Sequence, residues 1–316
     1  MYETFYGLSG KPFQLNPDPA FFFGSRGHKR AFAYLQYGVY QSEGFIVVTG
    51  EVGAGKTTIV RNLFENLDRG RLVAAQIVST QLDADDLLRS VATAFGLPMR
   101  AVDKATLLAS LEAFLCKLAI DGKRALLVVD EAQNLSPRAI EELRMLSNFQ
   151  LGEHALLQSF LIGQPELRDM MQGAQMSQLR QRVIASYHLG PLDRNETQAY
   201  IEHRLRHVGW NNDPRFEPSC FDSIHTWSGG IPRRINTLCN RLMLAGFPTQ
   251  VPWSWEEDFF QAFPHLSESD MAKGRYMYSA GRGAVTTDPL LSGSSVPEKN
   301  GLFLSIENWL SEKGLL

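Results

Sequence analysis

Residues 50–58 read GEVGAGKTT. Three glycines precede a lysine and two hydroxyl side chains, a spacing that fits GxxxxGK[ST]. The apolar run FIVVTG at 45–50 leads into it as a strand, and helical sequence follows. Gly50, Gly53 and Gly55 let the backbone turn sharply and bring N–H groups close to phosphate oxygens. Glu51, Val52 and Ala54 supply the remaining backbone of that cradle. A helix opening near Lys56 points its positive end at the same place. Lys56 then supplies a point charge to the β- and γ-phosphates of a nucleoside triphosphate. Thr57, with Thr58 beside it, supplies a hydroxyl for Mg2+.

A second stretch, LLVVDEAQ at 126–133, ends a buried strand in two acids. Asp130 can hold magnesium through an intervening water. Glu131 is placed to orient or deprotonate the attacking water. Its bland alternative is an exposed acid beside a helix, with no chemistry. Since ligands sit at the carboxyl ends of strands in open α/β sheets, Asp130 and Lys56 are expected to converge. A third stretch, GGIPRRIN at 229–236, sets two arginines at the start of a helix. Gly229 and Gly230 permit the turn, and Pro232 fixes the first helical residue. Arg233 would face the phosphates of ATP, whose charge redistributes during transfer. The alternative is a solvated basic helix start, although a cation there opposes the helix dipole.

These residues need a scaffold. Apolar runs at 45–50, 72–78, 125–130, 156–163 and 185–192 predict strands, and their continuity predicts a parallel sheet covered by helices on both faces. Helical patterns lie at about 27–42, 84–95 and 104–120, and Ser136-Pro137 opens another helix. From Leu192 the texture becomes all-helical. Asp193 and Glu196 have capping-box spacing and open a helix to about Val208, followed by helices near 218–227 and 232–245. The organisation expected is an N-terminal segment at 1–26 that lines the nucleotide pocket, an α/β core at 27–191, a helical lid at 192–246 and a divergent, partly disordered tail at 247–316. A short amphipathic helix around Trp309 and Leu310 is a further expectation.

The bulk numbers narrow the function classes. The 316 residues are 44% hydrophobic and 21% charged, with a formal net charge of -3, so no overall basic field favours nucleic acid or anionic lipid. The three cysteines, Cys116, Cys220 and Cys239, form no CxxC pair, which argues against a disulfide framework or a thiolate metal site. The start MYETFYGLSGKPF has no basic region followed by an apolar run, so no signal peptide is expected. No stretch reaches the about 18 apolar residues of a membrane helix. His203 and His207 are four apart, but Arg204 and Arg206 would repel a cation there, so surface histidines are expected. The HKR run at 28–30 and the arginines at 204–206 read as solvated basic faces.

Taken together, GEVGAGKTT, LLVVDE and GGIPRRIN resemble the P-loop (Walker A), acidic strand (Walker B) and sensor-2 arginine of an AAA+ ATPase. YGLSGKPFQLNPDPAFFFGSRGHKRAFAYLQYGV, DEAQNLSPRAIEELRMLSNF, IGQPELRDMM, QLRQRV and GGIPRRINTLCNRLML extend the likeness. They are similar to secretion ATPases of the general secretion pathway protein A type, with wording nearest to the secretion ATPase found with exosortase (PEP-CTERM) and exopolysaccharide export loci. The likeness covers about residues 1–245. It implies an α/β P-loop NTPase fold with a parallel five-stranded sheet and a small helical lid domain. It also implies that Gln164 acts as sensor 1, and that Arg180 or Arg182 is offered as an arginine finger to a neighbouring subunit. Pro19 and Phe21 would line the adenine pocket, or else staple the N-terminal segment onto the core. Larger members of the secretion type continue into a membrane helix and a wall-binding module, neither of which is evident in this sequence. The tail matches nothing in the family pattern, and a shifted reading frame or a lineage-specific replacement would account for it.

The expected activity is Mg2+-dependent ATP hydrolysis that energises or regulates a secretion or exopolysaccharide export system. The expected setting is a cytoplasmic homo-oligomer, such as a ring with ATP at subunit interfaces, reaching the inner membrane through a protein partner. The alternative is a DNA-acting AAA+ ATPase of the transposition-helper or origin-binding kind. The acidic charge balance and lack of a recognisable DNA-reading domain weigh against it. A nucleotide-gated adaptor that hydrolyses slowly and works by assembly is a third reading.

Overall fold

The structure is a computed structural model that describes residues 2–16, 18–79, 82–98, 103–216 and 218–246. The tail from 247 onward, with the expected helix around Trp309, lies outside the described residues. Apolar runs that cannot remain in water set the frame. Five of them form parallel strands: β1 (Phe45–Gly50), β2 (Leu72–Val78), β3 (Arg124–Asp130), β6 (Leu157–Gly163) and β7 (Val183–Leu189). Their order is β2-β3-β6-β1-β7. A separate hairpin of two-residue strands, β4 (Gln150–Leu151) and β5 (His154–Ala155), precedes β6. The expected five-stranded parallel sheet is present. All six residues of β1 and all seven of β6 are buried, as continuous apolar strands covered on both faces must be.

The helices are α1 (Tyr2–Phe5), α2 (Arg26–Gln41), α3 (Lys56–Glu65), α4 (Ala84–Ala94), α5 (Lys104–Ile120), α6 (Pro137–Leu146), α7 (Pro165–Gln172), α8 (Ser177–Arg180), α9 (Arg194–His207), α10 (Pro218–Ser228) and α11 (Pro232–Gly246). Their starts follow side-chain chemistry. Asp83 accepts from the N–H groups of Asp85 and Asp86, Asp103 from Thr106, and Ser136 from Ala139, each satisfying a donor the first turn leaves unpaired. Pro137 takes the first helical position of α6. At α9 the reciprocal capping box is complete: Asp193 accepts from the Glu196 N–H at 2.8 Å, and Glu196 accepts from the Asp193 N–H at 3.3 Å.

The chain divides into two compact units. The first contains residues 1–27, 51–58 and the described residues from Gly190 on. Its core joins Tyr6, Phe13 and Phe21 to Ile201 and Leu205 of α9, Phe221 of α10 and Leu238 of α11. The second contains His28–Gly50 and Ile59–Leu189. Its core packs the sheet residues Leu127, Val129 and Leu161 against Leu88 of α4, Leu111 of α5, Leu143 of α6 and Leu167 of α7. Each fully buried leucine contributes about 1.5–3 kcal/mol of transfer free energy. The glycine-rich residues 51–58, expected within the α/β portion, fall in the first unit.

Candidate nucleotide site

In the first unit the glycine-rich turn has the backbone its sequence requires. Gly53 (φ 83°) and Gly55 (φ 105°) occupy the left-handed region, where an L side chain is strained. The Ala54 N–H and the Lys56 ammonium both donate to the Glu51 carbonyl, at 3.1 and 3.0 Å, and close the turn. Lys56 is only 7% exposed, so its charge is held inside the turn rather than in bulk water. Since α3 begins at Lys56, the positive end of its helix dipole adds to the same place. Thr57 and Thr58 follow in that turn, half-buried.

Helix α11 comes to rest on this turn. Its Arg233 N–H donates to the Gly53 carbonyl at 3.2 Å. A Cβ at Gly53 would lie 2.4 Å from the Arg233 Cβ, so glycine is required there by proximity as well as by φ. The approach is set by Gly229 (φ 62°), Gly230 (φ 72°) and Pro232 at the first helical position. The Leu192 N–H donates to the Gly230 carbonyl at 2.9 Å, and a Cβ on Gly230 would meet the Leu192 oxygen at 2.1 Å. The Arg233 and Arg234 side chains are exposed.

The N-terminal segment of this unit is fastened by an arginine expected in solvent. Arg204 is 6% exposed, and its guanidinium lies 4.6 Å from the Phe21 ring centroid. It donates to the Pro12 carbonyl, the Tyr200 hydroxyl and the Gln14 carbonyl. Arg206, by contrast, is exposed and pairs with Glu202 on the helix surface. The solvated-face reading therefore fails for Arg204, because a long-range aromatic and three acceptors cover it. It fails for His28 too, which is buried. His207 is exposed as expected, with its ring 4.3 Å from that of Phe21. His203 is half-buried, and burial, with His207 and Arg204 adding, holds its pKa below the ordinary value. Phe21 is buried against Arg204 and His207, and Pro19 opens the short turn that Asp18 caps through the Ala20 N–H.

In the second unit the end of β3 carries the acids. Asp130 is 4% exposed, and its carbonyl accepts from the Ser79 N–H at 2.9 Å. The Glu131 N–H donates to the Asp130 carboxylate at 3.0 Å. Glu131 itself adopts the left-handed conformation (φ 54°, ψ 39°), which is strained for a glutamate and turns the chain sharply away from the strand. That turn folds Gln133 back. Gln133 Nε2 donates to Glu131 Oε2 at 2.6 Å, and Gln133 Oε1 accepts from the Gln164 N–H at 3.0 Å. The Gln164 side chain also donates to Glu131 Oε2, at 3.1 Å. Gln164 occupies the N-cap position of α7 directly after β6, with no side-chain capping bond. Glu131 and Gln164, expected separately as base and sensor 1, are in direct contact, whereas Gln133 was missed. Its signal was a polar residue between buried Ala132 and Leu135, two positions after the acid.

Arg180 and Arg182 belong to the same unit, and both guanidinium groups have partners. Arg180 donates to the carbonyls of Met171 and Gly173, and Arg182 to the carbonyl and hydroxyl of Ser147. Arg182 directly precedes β7, at the amino end of the parallel sheet, whereas Asp130 closes β3 at the carboxyl end.

The turn of the first unit suits a triphosphate, and each unit by itself carries a hard oxygen donor of the kind Mg2+ takes. A buried lysine, a helix start and left-handed glycines match phosphate. The Thr57 hydroxyl and Asp130 carboxylate are hard oxygen donors, and among the described residues no group of three or more His, Cys, Asp or Glu forms an all-protein metal cage. Few protein oxygens, completed by substrate phosphates and water, are how Mg2+ is commonly held.

Comparison with known proteins agrees with this geometry. The family model "AAA domain" matches residues 39–171. General secretion pathway protein A of Aeromonas hydrophila is 42% identical over 249 residues, which are 78% of this chain and 45% of that protein. The chain thus spans about half the length of the curated relative it matches. Among solved structures, the Aeropyrum pernix ORC2 protein in ADPNP-ADP complexes is similar with a TM-score of 0.60 at 16% identity, covering 96% of this chain and 89% of that one. The Aeropyrum pernix ORC1 protein in complex with DNA is similar with a TM-score of 0.55 at 15% identity, covering 96% and 97%. The fold is a P-loop AAA-type fold, and the chain is related to the secretion protein by sequence. Among the described residues no helix is long and apolar enough to cross a membrane.

Proposed function

We propose, from a P-loop AAA-type fold and 42% identity to a secretion protein, that this chain binds and hydrolyses ATP to energise or regulate an export system. The observation that carries the reading is the Glu131 carboxylate held by the Gln164 amide at the carboxyl end of the sheet. A carboxylate held in place at the end of a sheet strand is a candidate for the base that takes a proton from water.

In this reading the backbone from Gly50 to Gly55 and Lys56 bind the phosphates. Thr57 and Asp130 hold Mg2+, which when bound neutralises phosphate charge. Glu131 takes the proton of the attacking water, and Gln164 donates to the water or the γ-phosphate. Arg233, at the start of α11, faces the phosphate charge as it develops. Residues 192–246 serve as the lid, and Pro19 and Phe21 of the segment 1–26 flank the adenine. Arg180 or Arg182 completes the site of a neighbouring copy in a homo-oligomer, after releasing its carbonyl partners. The 42% identity supports a role in secretion; our reading is an exosortase- and exopolysaccharide-associated export complex, with the chain at the cytoplasmic face of the inner membrane through a protein partner.

Turnover of MgATP by the purified chain and its variants tests the reading. Hydrolysis that Lys56→Ala and Glu131→Gln each abolish supports it. A Glu131→Gln variant with wild-type turnover removes the base assignment. The rival DNA-acting function is separated by sedimentation with duplex DNA and MgATP: the protein remains in the supernatant if export is its role, and salt-sensitive co-sedimentation sinks the export reading.

A further inference from the structure

The Glu131 carboxylate is gripped by two amides, and only one of them, Gln164, has a role so far. The other belongs to Gln133. Its amide makes two bonds of opposite sense: Nε2 donates to Glu131 Oε2 at 2.6 Å, and Oε1 accepts from the Gln164 backbone N–H at 3.0 Å. The orientation of the amide is therefore fixed. A backbone N–H can only donate and an ionised carboxylate can only accept, so a flipped amide would lose both bonds. Gly163 lets the group approach, since a Cβ there would meet Gln133 Oε1 at 2.8 Å and the Leu167 side chain at 2.7 Å. Two loops from adjacent strands, the turn after β3 and the start of α7, are thereby joined through one side chain that also touches the acid.

We propose that Gln133 is a positioning residue for ATP hydrolysis, a clamp that sets the Glu131 carboxylate and the Gln164 amide at a fixed separation. The proposal rests on the assignment of Glu131 as the base. Glu131 needs such a clamp because its own backbone is in the left-handed region, so the strand does not aim the side chain by itself. Three hydrogen bonds among three residues define a closed triangle: Gln133 to Glu131, Gln164 to Glu131, and Gln164 to Gln133. Removing the Gln133 corner takes one amide donor from the carboxylate and the side-chain acceptor from the Gln164 N–H. A base displaced by about 1 Å from the reacting water loses about 100-fold in rate, while phosphate binding by a separate turn is untouched.

Two substitutions separate positioning from plain structural support. Gln133→Ala removes both bonds. Gln133→Glu retains an oxygen for the Gln164 N–H but replaces the donor to Glu131 with a second negative charge. The experiment measures single-turnover hydrolysis at saturating MgATP and the affinity for a fluorescent ATP analogue, on the full chain, for wild type, both variants and Glu131→Gln. The expected result is a 10- to 100-fold lower rate in Gln133→Ala. Gln133→Glu is expected to be impaired at least as much, and all variants to bind the analogue within about threefold of wild type. Slow hydrolysis by Gln133→Ala with wild-type hydrolysis by Gln133→Glu overturns the proposal, since the Gln164 anchor alone would then suffice. Wild-type or faster turnover in both variants also overturns it. If Gln133→Ala loses analogue binding through misfolding, Gln133→Glu decides alone by the same criterion. Glu131→Gln at wild-type rate fails the base assignment first, and this proposal falls with it; a slow Glu131→Gln with fast Gln133 variants fails this proposal only.

Discussion

Lys56 concentrates the chemistry of the turn, because its buried ammonium is tied to the Glu51 carbonyl and stands at the start of α3. Lys56→Ala is expected to weaken binding of a fluorescent ATP analogue by at least about tenfold, the equivalent of one charge-assisted contact of about 1.5–3 kcal/mol. Glu131→Gln removes the proton acceptor but leaves the phosphate cradle, so it is expected to bind ATP normally and lower turnover by about 100-fold or more, measured as phosphate release. Gly53→Ala meets two obstacles at once, φ of 83° and an Arg233 Cβ 2.4 Å from the added methyl. It is expected to cost about 1–3 kcal/mol of stability and to weaken nucleotide affinity, checked by thermal unfolding with and without MgATP. The glycine, lysine and acid positions were legible because their chemistry is local to a few residues. Gln133 and Arg204 were not: one acts by folding back through a left-handed turn, and the other is buried by Phe21 and by carbonyls about 190 residues away in the chain.

At the level of elements, the strands announced themselves as apolar runs, and β1 and β2 occupy the expected residues. The edge strand β7 runs from Val183 to Leu189 rather than 185–192, because Gly190 and Pro191 interrupt the ladder that pairs it with β1. The β4–β5 hairpin left no signal, being two residues to a strand. Caps were the clearest boundary marks, and α9 carries the most complete one. The Glu196 N–H bond lowers the pKa of Asp193 from its usual value, and the Arg26 charge adds to the effect. A depressed folded pKa means that the folded chain binds this proton less readily than the unfolded chain. The cap's contribution is therefore full above the ordinary aspartate range and is lost as pH falls through the folded value. Asp193→Ala is expected to destabilise the helical unit by about 1 kcal/mol at neutral pH, with the gap to wild type closing below about pH 4, measured by denaturant unfolding at several pH values. Gly230→Ala, whose methyl would strike the Leu192 carbonyl, is expected to cost more than the cap does.

For the molecule as a whole, a helical unit that includes the phosphate turn and an α/β unit that bears the acids are joined by chain passing from Gly27 into His28, Gly50 into Glu51, Thr58 into Ile59 and Leu189 into Gly190. Assembly supplies the remaining prediction. If Arg180 or Arg182 serves a neighbouring copy, the double variant Arg180→Ala/Arg182→Ala is expected to lose turnover while binding nucleotide. Mixing it with Lys56→Ala is then expected to restore activity, because each copy supplies what the other lacks. The central claim, that the 50–58 turn and Lys56 grip a magnesium-bound triphosphate, is tested most directly by titrating folded protein with MgATP in a calorimeter, wild type beside Lys56→Ala. The expected result is saturable binding between about 1 μM and 1 mM for wild type and binding weaker by at least about tenfold for the variant. Well-folded wild type that takes up no MgATP at millimolar concentration would contradict it.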